Sequence, residues 1–326
     1  MKKGRCTRPI VIAHRGASAY LPEHTLAAKA VAHAMGADFL EQDIVLSRDN
    51  IPIVLHDVYL ETTTDVAHRF PDRARPDGRF YAMDFDFHEM RTLKVHERST
   101  MSTADTRDAV YPSRFPVTSN LFGIASLEDE LDLIEGLNQS RRQHAGIYLE
   151  FKAPNLHREQ GLDIVASVMD VLSRKGWAQR TEQVYLQCFD PPTLQRLATE
   201  IATPLPLIQL IGENDWAEDT LADYDLMKTP AGLKQVADYA QGIGPWLHHI
   251  YLGRNAGGDP EISRLTEQAH ELGLLVHPYT FRADELPSTV ATSQQLLDIL
   301  FKIADVDGIF TDFPDIVVNY LDELGP

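Results

Sequence analysis

The stretch PIVIAHRGASAYLPEHT, Pro9 to Thr25, followed by DFLEQDIVLSRDNIPIVLHD, Asp38 to Asp57, decides how this chain folds. Pro9-Ile10-Val11-Ile12-Ala13 is a short apolar strand, and it stops at His14-Arg15-Gly16-Ala17-Ser18, where polar groups and a permissive glycine replace packing residues. Asp38 to Val45 is a second strand candidate, and the two-residue side-chain period sets Glu41 and Asp43 on one face.

Two carboxylates side by side repel each other and are costly to bury. A divalent cation reverses that cost, since hard cations such as calcium and magnesium favour carboxylate oxygen over nitrogen or sulfur. For this pair alone, a partly exposed strand with solvated acids is the other reading. A third acid weighs against it: Gly146 to Lys152 is another short apolar strand, with Glu150 and Lys152 on one face. Glu41, Asp43 and Glu150 therefore read as a metal site, and His14, Arg15 and His56 suit metal-assisted attack on a phosphate diester.

Strand-like runs alternate with helical patterns along the rest of the chain. The helices are Pro22 to Met35, Leu127 to Leu137, His157 to Ser173, Pro192 to Glu200, Pro230 to Ala240, Pro260 to Leu272, Ser293 to Ile303 and Pro314 to Leu324. Several open with proline at a permitted first-turn position. Between them lie Ile147 to Glu150, Val184 to Cys188, Leu205 to Leu210, Gln241 to Gly244, Leu274 to Pro278 and Gly308 to Thr311. With the first two strands this makes about eight βα units, the α/β count of a closed (β/α)8 TIM barrel. Val58 to Phe122 breaks the rhythm with many charges and no convincing βα unit. A structureless connection of that length is improbable in a compact domain. The division expected is a barrel of residues 1–57 and 123–326 with a small inserted subdomain at 58–122, either a wall of the substrate pocket or a structural cap.

In such a barrel the strand C-termini face one mouth, so polar residues at strand ends converge from distant parts of the sequence. His14, Arg15, Glu41, Asp43, Glu150, Lys152, Gln187, Gln209, His277, Tyr279 and Asp312 fall there. Structural readings stand beside the functional ones. Gln209 and Tyr279 suit hydrogen bonds to neighbouring loops, His277 a satisfied core histidine, and Lys152 a salt bridge. His24 and His33 read as capping or surface residues of the first helix. His248 and His249 have no carboxylate at ligand spacing and read as structural.

These residues carry a resemblance. HRGASAYLPEHT at His14 to Thr25, LEQDIVLSRDNIPIVLHD at Leu40 to Asp57, YLEFKAP at Tyr148 to Pro154, YLQCFD at Tyr185 to Asp190, VHPYTFR at Val276 to Arg282 and GIFTDFPD at Gly308 to Asp315 resemble the glycerophosphodiester phosphodiesterase family, more narrowly its bacterial GlpQ-type branch. The matches run in the family's order over nearly the whole chain. The resemblance implies a barrel with an insertion after the second strand, one bound divalent cation, with Ca2+ preferred and Mg2+ allowed, and hydrolysis of glycerophosphodiesters to glycerol 3-phosphate and an alcohol, a step of glycerol and lipid metabolism.

A chain of 326 residues with 44% hydrophobic content can bury the core of one large barrel plus an insertion. Its formal charge of -18, from 48 acidic against 30 basic residues, argues against a nucleic-acid partner, whose binding rests on Lys and Arg neutralising phosphates. An anionic small-molecule substrate then needs local positive charge, which Arg15, Lys152 and the metal supply. Cys6 and Cys188 permit at most one disulfide, and Cys188 in its apolar strand reads as a small buried residue. There is no apolar run long enough for stable membrane insertion. The basic start Met1 to Cys6 lacks the apolar region of a signal peptide. The chain is thus expected to be cytoplasmic as it stands, or periplasmic if an export signal has been removed. A homodimer is compatible with the sequence.

His14 and His56 can divide the proton transfers, because imidazole titrates near 6.5 when unperturbed. Arg15 can grip two phosphate oxygens as a fork, with Lys152, Gln187, His277 and Tyr279 as further substrate contacts. The nucleophile is either a metal-bound water or the substrate's own glycerol 2-hydroxyl, the latter passing through a cyclic phosphate. By analogy with barrel phospholipases that use two histidines, His14 is the base and His56 the acid. The alternatives are a barrel phosphodiesterase acting on lysophospholipids or sphingomyelin, and a binding or adhesion protein on a retired enzyme scaffold. Against the second, both histidines and all three acids are present.

Overall fold

Eight parallel strands form a nearly closed barrel in this computed structural model, which describes residues 8–103, 106–216 and 218–325. In chain order they are β1 (Ile10–Ala13), β2 (Phe39–Leu46), β3 (Gly146–Phe151), β4 (Val184–Cys188), β5 (Leu207–Ile211), β6 (Gly242–Pro245), β7 (Leu275–Val276) and β8 (Gly308–Thr311). From β1 to β7 each strand pairs with the next, and β1 pairs in parallel with β8. The gap between β7 and β8 is bridged just outside the ladder by Asp307 N–H to the Val276 carbonyl at 2.9 Å and Phe310 N–H to the Pro278 carbonyl at 3.0 Å. Every residue of β2 and of β3 is buried, as expected where helices cover the outside and side chains fill the inside.

Inside, Ile12, Phe39, Tyr148, Ile208 and Phe310 pack together, with Tyr148 stacked on Tyr185 at 4.9 Å. This aromatic plug makes a dry floor under the mouth. Outside, a large apolar layer joins the strands to the helices, which include α1 (Leu26–Ala34), α2 (Leu127–Arg141), α3 (Ile164–Arg174) and α4 (Pro191–Thr199). The Ser126 hydroxyl and the Asp129 carboxylate cap α2 reciprocally, and the Asp190 carboxylate caps α4 just before its two prolines.

Three helices differ from the sequence reading. The first starts at Leu26 rather than Pro22, because the Thr25 hydroxyl caps it and His24 takes a left-handed φ of 58°. That turn brings Glu23 to Arg15 and His24 to Asp43. The run His157 to Ser173 is two helices, Pro154–Glu159 and α3, broken at Gly161 with φ 77° and restarted by the Asp163 cap. Only Leu265–Glu271 of the run from Pro260 to Leu272 is helical, since Pro260–Ile262 pairs antiparallel with Tyr251–Arg254.

A short strand, Pro52–Val54, folds back antiparallel on β2. The chain beyond it, through residue 122, makes short helices and an antiparallel hairpin of Ser99–Thr103 with Thr106–Ala109. Leu60, Val66, Phe80, Phe85, Met90 and Leu93 form a core of their own against Val45, Ile53 and Leu55. The segment thus buries its apolar side on the far end of β2, next to the mouth. Cys6 and the basic start lie outside the described residues, and no helix among the described residues is long and apolar enough to cross a membrane.

Candidate active site

Register brings the acids together. Asp43 is level with Glu150, and Glu150 with Gln187, across β2, β3 and β4. Glu41, two residues earlier on the same face of β2, completes a set of three buried carboxylates whose oxygens lie within 4.8 Å of one another. Burial and the charges of Asp43 and Glu150 push the Glu41 carboxyl well above its usual range. Burial likewise lifts Glu150 to about 8, against the pull of Lys152. Burial alone would raise Asp43 too, but His24, His56 and Lys152 bring it well below its usual value. Three oxygen-only donors that hinder one another's ionisation suit a hard divalent cation, whose charge removes the repulsion.

Each acid is held from behind. Glu41 accepts the Arg15 backbone N–H at 2.8 Å and the Gln187 amide at 3.1 Å. Asp43 pairs with His24 Nε2 at 2.7 Å, and Glu150 accepts from Lys152 Nζ at 2.8 Å. The Arg15 contact depends on local backbone geometry: Arg15 takes φ 57° and Gly16 φ 90°, turning the amide after β1 back toward β2. A Cβ on Gly16 would stand 2.9 Å from the Ala28 backbone, so only glycine fits there.

His14 and His56 are anchored alike. His14 Nδ1 lies 2.5 Å from Asp312 Oδ1, and His56 Nδ1 lies 2.5 Å from Asp57 Oδ1. A carboxylate on Nδ1 fixes the tautomer that leaves Nε2 as the acceptor. His14 Nε2 is 3.9 Å from Glu41 Oε2, and His56 Nε2 is 3.4 Å from Lys152 Nζ. Burial and the Arg15 cation lower His14 to about 4; burial, Arg15 and Lys152 lower His56 to about 3. Both rings are therefore neutral at pH 7, well away from the 6.5 of free imidazole. Lys152 is raised in turn, because Glu150 and Asp43 outweigh its desolvation.

A cavity of about 220 Å³ is lined by His14, Arg15, Glu41, Asp43, His56, Glu150, Lys152, Gln187 and Tyr279. Nine of the ten site residues expected from sequence meet there. The exception is His277, whose ring sits in the aromatic floor with Nδ1 3.0 Å from the Tyr148 hydroxyl and does not line the cavity. Tyr279 lines it, and its hydroxyl donates to the Ile211 carbonyl at 2.9 Å. Gln209 is bound to loop carbonyls and to Tyr239, and Cys188 is buried with its thiol donating to the Phe151 carbonyl. A wider groove of about 1140 Å³ shares His56 and Lys152 and is bordered by Tyr59 and Arg79 of the 58–122 segment.

Several working residues escaped the sequence reading. His24 is not a capping or surface group: it is buried and bonded to Asp43. His33 is also buried, with Nε2 3.0 Å from Asn138 Oδ1. His249 does have a carboxylate, Glu213 at 3.0 Å, too distant in sequence for spacing to show. Glu23 binds Arg15 Nη1 at 3.0 Å and Asp57 orients His56, whereas Asp312, already expected at the mouth, orients His14. Their position beside His24, His56 and the β8 end was the only available signal.

The mouth of this TIM barrel gathers three buried carboxylates and two carboxylate-anchored histidines, and its likeness to known proteins makes the chain a phosphoric diester hydrolase. The chain belongs to the glycerophosphoryl diester phosphodiesterase family, whose model matches residues 14–316, and it is a glycerophosphodiester phosphodiesterase. It is 40% identical over 96% of its length to the glycerophosphodiester phosphodiesterase of Haemophilus influenzae, covering 89% of that protein. It is 36% identical over 98% of its length to that of Treponema pallidum, covering 93% of that protein. Among solved structures, a putative glycerophosphoryl diester phosphodiesterase from Silicibacter pomeroyi superposes with a TM-score of 0.71 at 24% identity, over 99% of this chain and 96% of that one. An Oleispira antarctica phosphodiesterase in complex with the product sn-glycerol-3-phosphate superposes with a TM-score of 0.64 at 19% identity, over 97% of each chain.

Proposed function

We propose that the cleft hydrolyses glycerophosphocholine, glycerophosphoethanolamine and similar diesters to sn-glycerol 3-phosphate and the free alcohol, by two-histidine acid/base catalysis with one divalent cation. The observation that carries this reading is the pair of Nδ1-anchored imidazoles flanking three buried carboxylates in one cavity. Relatives at 36 and 40% identity bear the same activity in their names, and the Oleispira antarctica protein retains sn-glycerol-3-phosphate as its product.

Glu41, Asp43 and Glu150 would hold the cation, calcium or magnesium, which supplies charge neutralisation at the phosphate and acidifies a neighbouring hydroxyl. Arg15 and Lys152 give the phosphate two further positive contacts, and Gln187 keeps Glu41 in place. His14, with Asp312 on Nδ1, presents Nε2 as the base toward the attacking hydroxyl. His56 takes the leaving-group side, beside Lys152 and the wider groove. Its ring is neutral before substrate arrives. Burial and the Arg15 and Lys152 cations keep the ring unprotonated, and a phosphodiester anion seated against those cations offsets part of that, favouring the form that donates. Choline, ethanolamine or glycerol as the alcohol fits the open groove, so recognition falls on the shared glycerol phosphate half.

The test is release of glycerol 3-phosphate from glycerophosphocholine and glycerophosphoethanolamine before and after chelation. Activity lost in chelator and restored by calcium or magnesium is expected. Full activity in excess chelator, after bound metal has been stripped, would overturn the metal requirement.

A further inference from the structure

Two arginines of the 58–122 segment reach the back of the catalytic groups. Arg98 forks Glu23 through Nε and Nη2 at 2.9 and 2.6 Å and donates Nη1 to Asp57 Oδ2 at 2.8 Å. Glu23 in turn holds Arg15, and Asp57 holds His56. One guanidinium thus fixes both a phosphate-facing arginine and a histidine. Arg114, only 4% exposed at its side chain, lies 2.8 Å from Asp312 Oδ2, while Asp312 Oδ1 holds His14. Asp284 forks the far side of Arg114 at 2.9 and 3.0 Å, and Tyr111 stacks on it at 3.7 Å. Each histidine therefore ends a chain of the same form: imidazole, aspartate, then an arginine that no barrel strand supplies.

We propose that Arg98 and Arg114 are positioning residues, through which the inserted segment sets the tautomer and aim of His56 and His14, and that Arg98 also sets the grip of Arg15. Planar five-donor geometry makes arginine able to hold two acids at once, which an ammonium cannot reproduce. Asp312 is held by Arg282 Nε as well, at 2.9 Å, so Arg114 shares that duty, whereas the described contacts of Glu23 with Arg98 and Arg15 make Arg98 the common support of two groups.

This inference rests on the two-histidine reading, and the experiment separates the two. Arg98→Met, Arg98→Lys, Arg114→Met and Arg114→Lys are compared with His14→Ala and His56→Ala by kcat and KM at saturating metal. The His14 and His56 ring nitrogens are followed in each by 15N NMR. Arg114→Met is expected to lower kcat on the order of 10-fold with little change in KM, and Arg98→Met to lower kcat on the order of 10- to 100-fold and also raise KM, the magnitudes of lost outer-layer support. In a His56→Ala background Arg98→Met should still raise KM but no longer lower kcat, and in a His14→Ala background Arg114→Met should have no further effect. The lysine variants, which keep the charge, should recover only part of the loss and retain a folded spectrum. Loss of the fixed Nδ1–H tautomer signal should accompany each methionine change. If the histidine variants are inactive while both methionine variants keep wild-type kcat and unchanged ring signals, the positioning role is overturned and the catalytic reading stands. If either histidine variant keeps wild-type turnover, the catalytic reading itself falls.

Discussion

Replacing Lys29 by methionine should destabilise the protein in a manner that depends on pH. Lys29 on α1 and Glu130 on α2 are both fully buried, with Nζ 3.0 Å from Oε2. Lys29 also donates to the Glu41 carbonyl and lies 3.3 Å from His24 Nδ1. Burial raises the Glu130 carboxyl from 4.5 to about 7, with Lys29 pulling the other way. A raised value means that the folded chain binds this proton more tightly than the unfolded one. Its contribution therefore favours the fold fully below pH 4.5 and is lost as pH rises through 7. Two to three pH units at about 1.4 kcal/mol each make this roughly 3 kcal/mol. Lys29→Met removes the one nearby cation, so above neutrality an unpaired carboxylate must stay buried or be protonated against the solvent. The expected loss is about 3 to 5 kcal/mol at pH 8.5. At pH 5, where Glu130 is neutral, about 2 kcal/mol should remain from the broken hydrogen bonds. Lys29→Met/Glu130→Leu should recover most of the pH 8.5 loss. Urea unfolding at both pH values measures this directly. An equal loss at the two pH values, or a double variant no better than the single one at pH 8.5, would refute the reasoning.

Glu41→Gln, Asp43→Asn and Glu150→Gln should each weaken calcium or magnesium binding by calorimetry, since each removes one charged oxygen donor. His14→Ala and His56→Ala should each lower kcat by on the order of 10²-fold or more with the circular dichroism spectrum unchanged, and Arg15→Lys should also be harmful because it loses the fork. A glycerophosphodiester lacking the 2-hydroxyl should inhibit competitively yet turn over poorly; rapid hydrolysis would eliminate the cyclic route. Gly16→Ala should destabilise by about 2 kcal/mol or more and weaken metal binding, because a Cβ would press on Ala28 and displace the amide that holds Glu41.

All eight barrel strands and nine of the residues lining the cavity could be read from the sequence because short apolar runs ending in polar groups carry their own periodicity. What failed was local. Pro22 to His24 continues the apolar spacing of α1, and only the Thr25 cap shows where the helix begins. Pro260 looks like a first-turn proline but opens an edge strand, a position that also tolerates a missing N–H. His277 follows an apolar strand like the residues that line the cavity, yet its ring turns down into the Tyr148 floor, a difference of side-chain direction that sequence does not encode by spacing. The outer layer was harder still. Arg98 and Arg114 sit in a charge-rich segment without periodicity, where one arginine resembles another until the fold shows which acid it meets.

The pairing of His14 with Asp312 joins residues separated by 298 positions, across the seam where the first strand meets the last. Its consequence is temporal. During synthesis the acids of β2 and β3, His56 and the arginines of the inserted segment all precede α4, but His14 lacks its Asp312 carboxylate until the chain has passed Gly308–Thr311 and that strand has paired with Ile10–Ala13. The three acids are thus all synthesised before the strand end that completes the anchoring of His14. A chain ending between β3 and β8 would carry Glu41, Asp43 and Glu150 but not the Asp312 carboxylate that anchors His14.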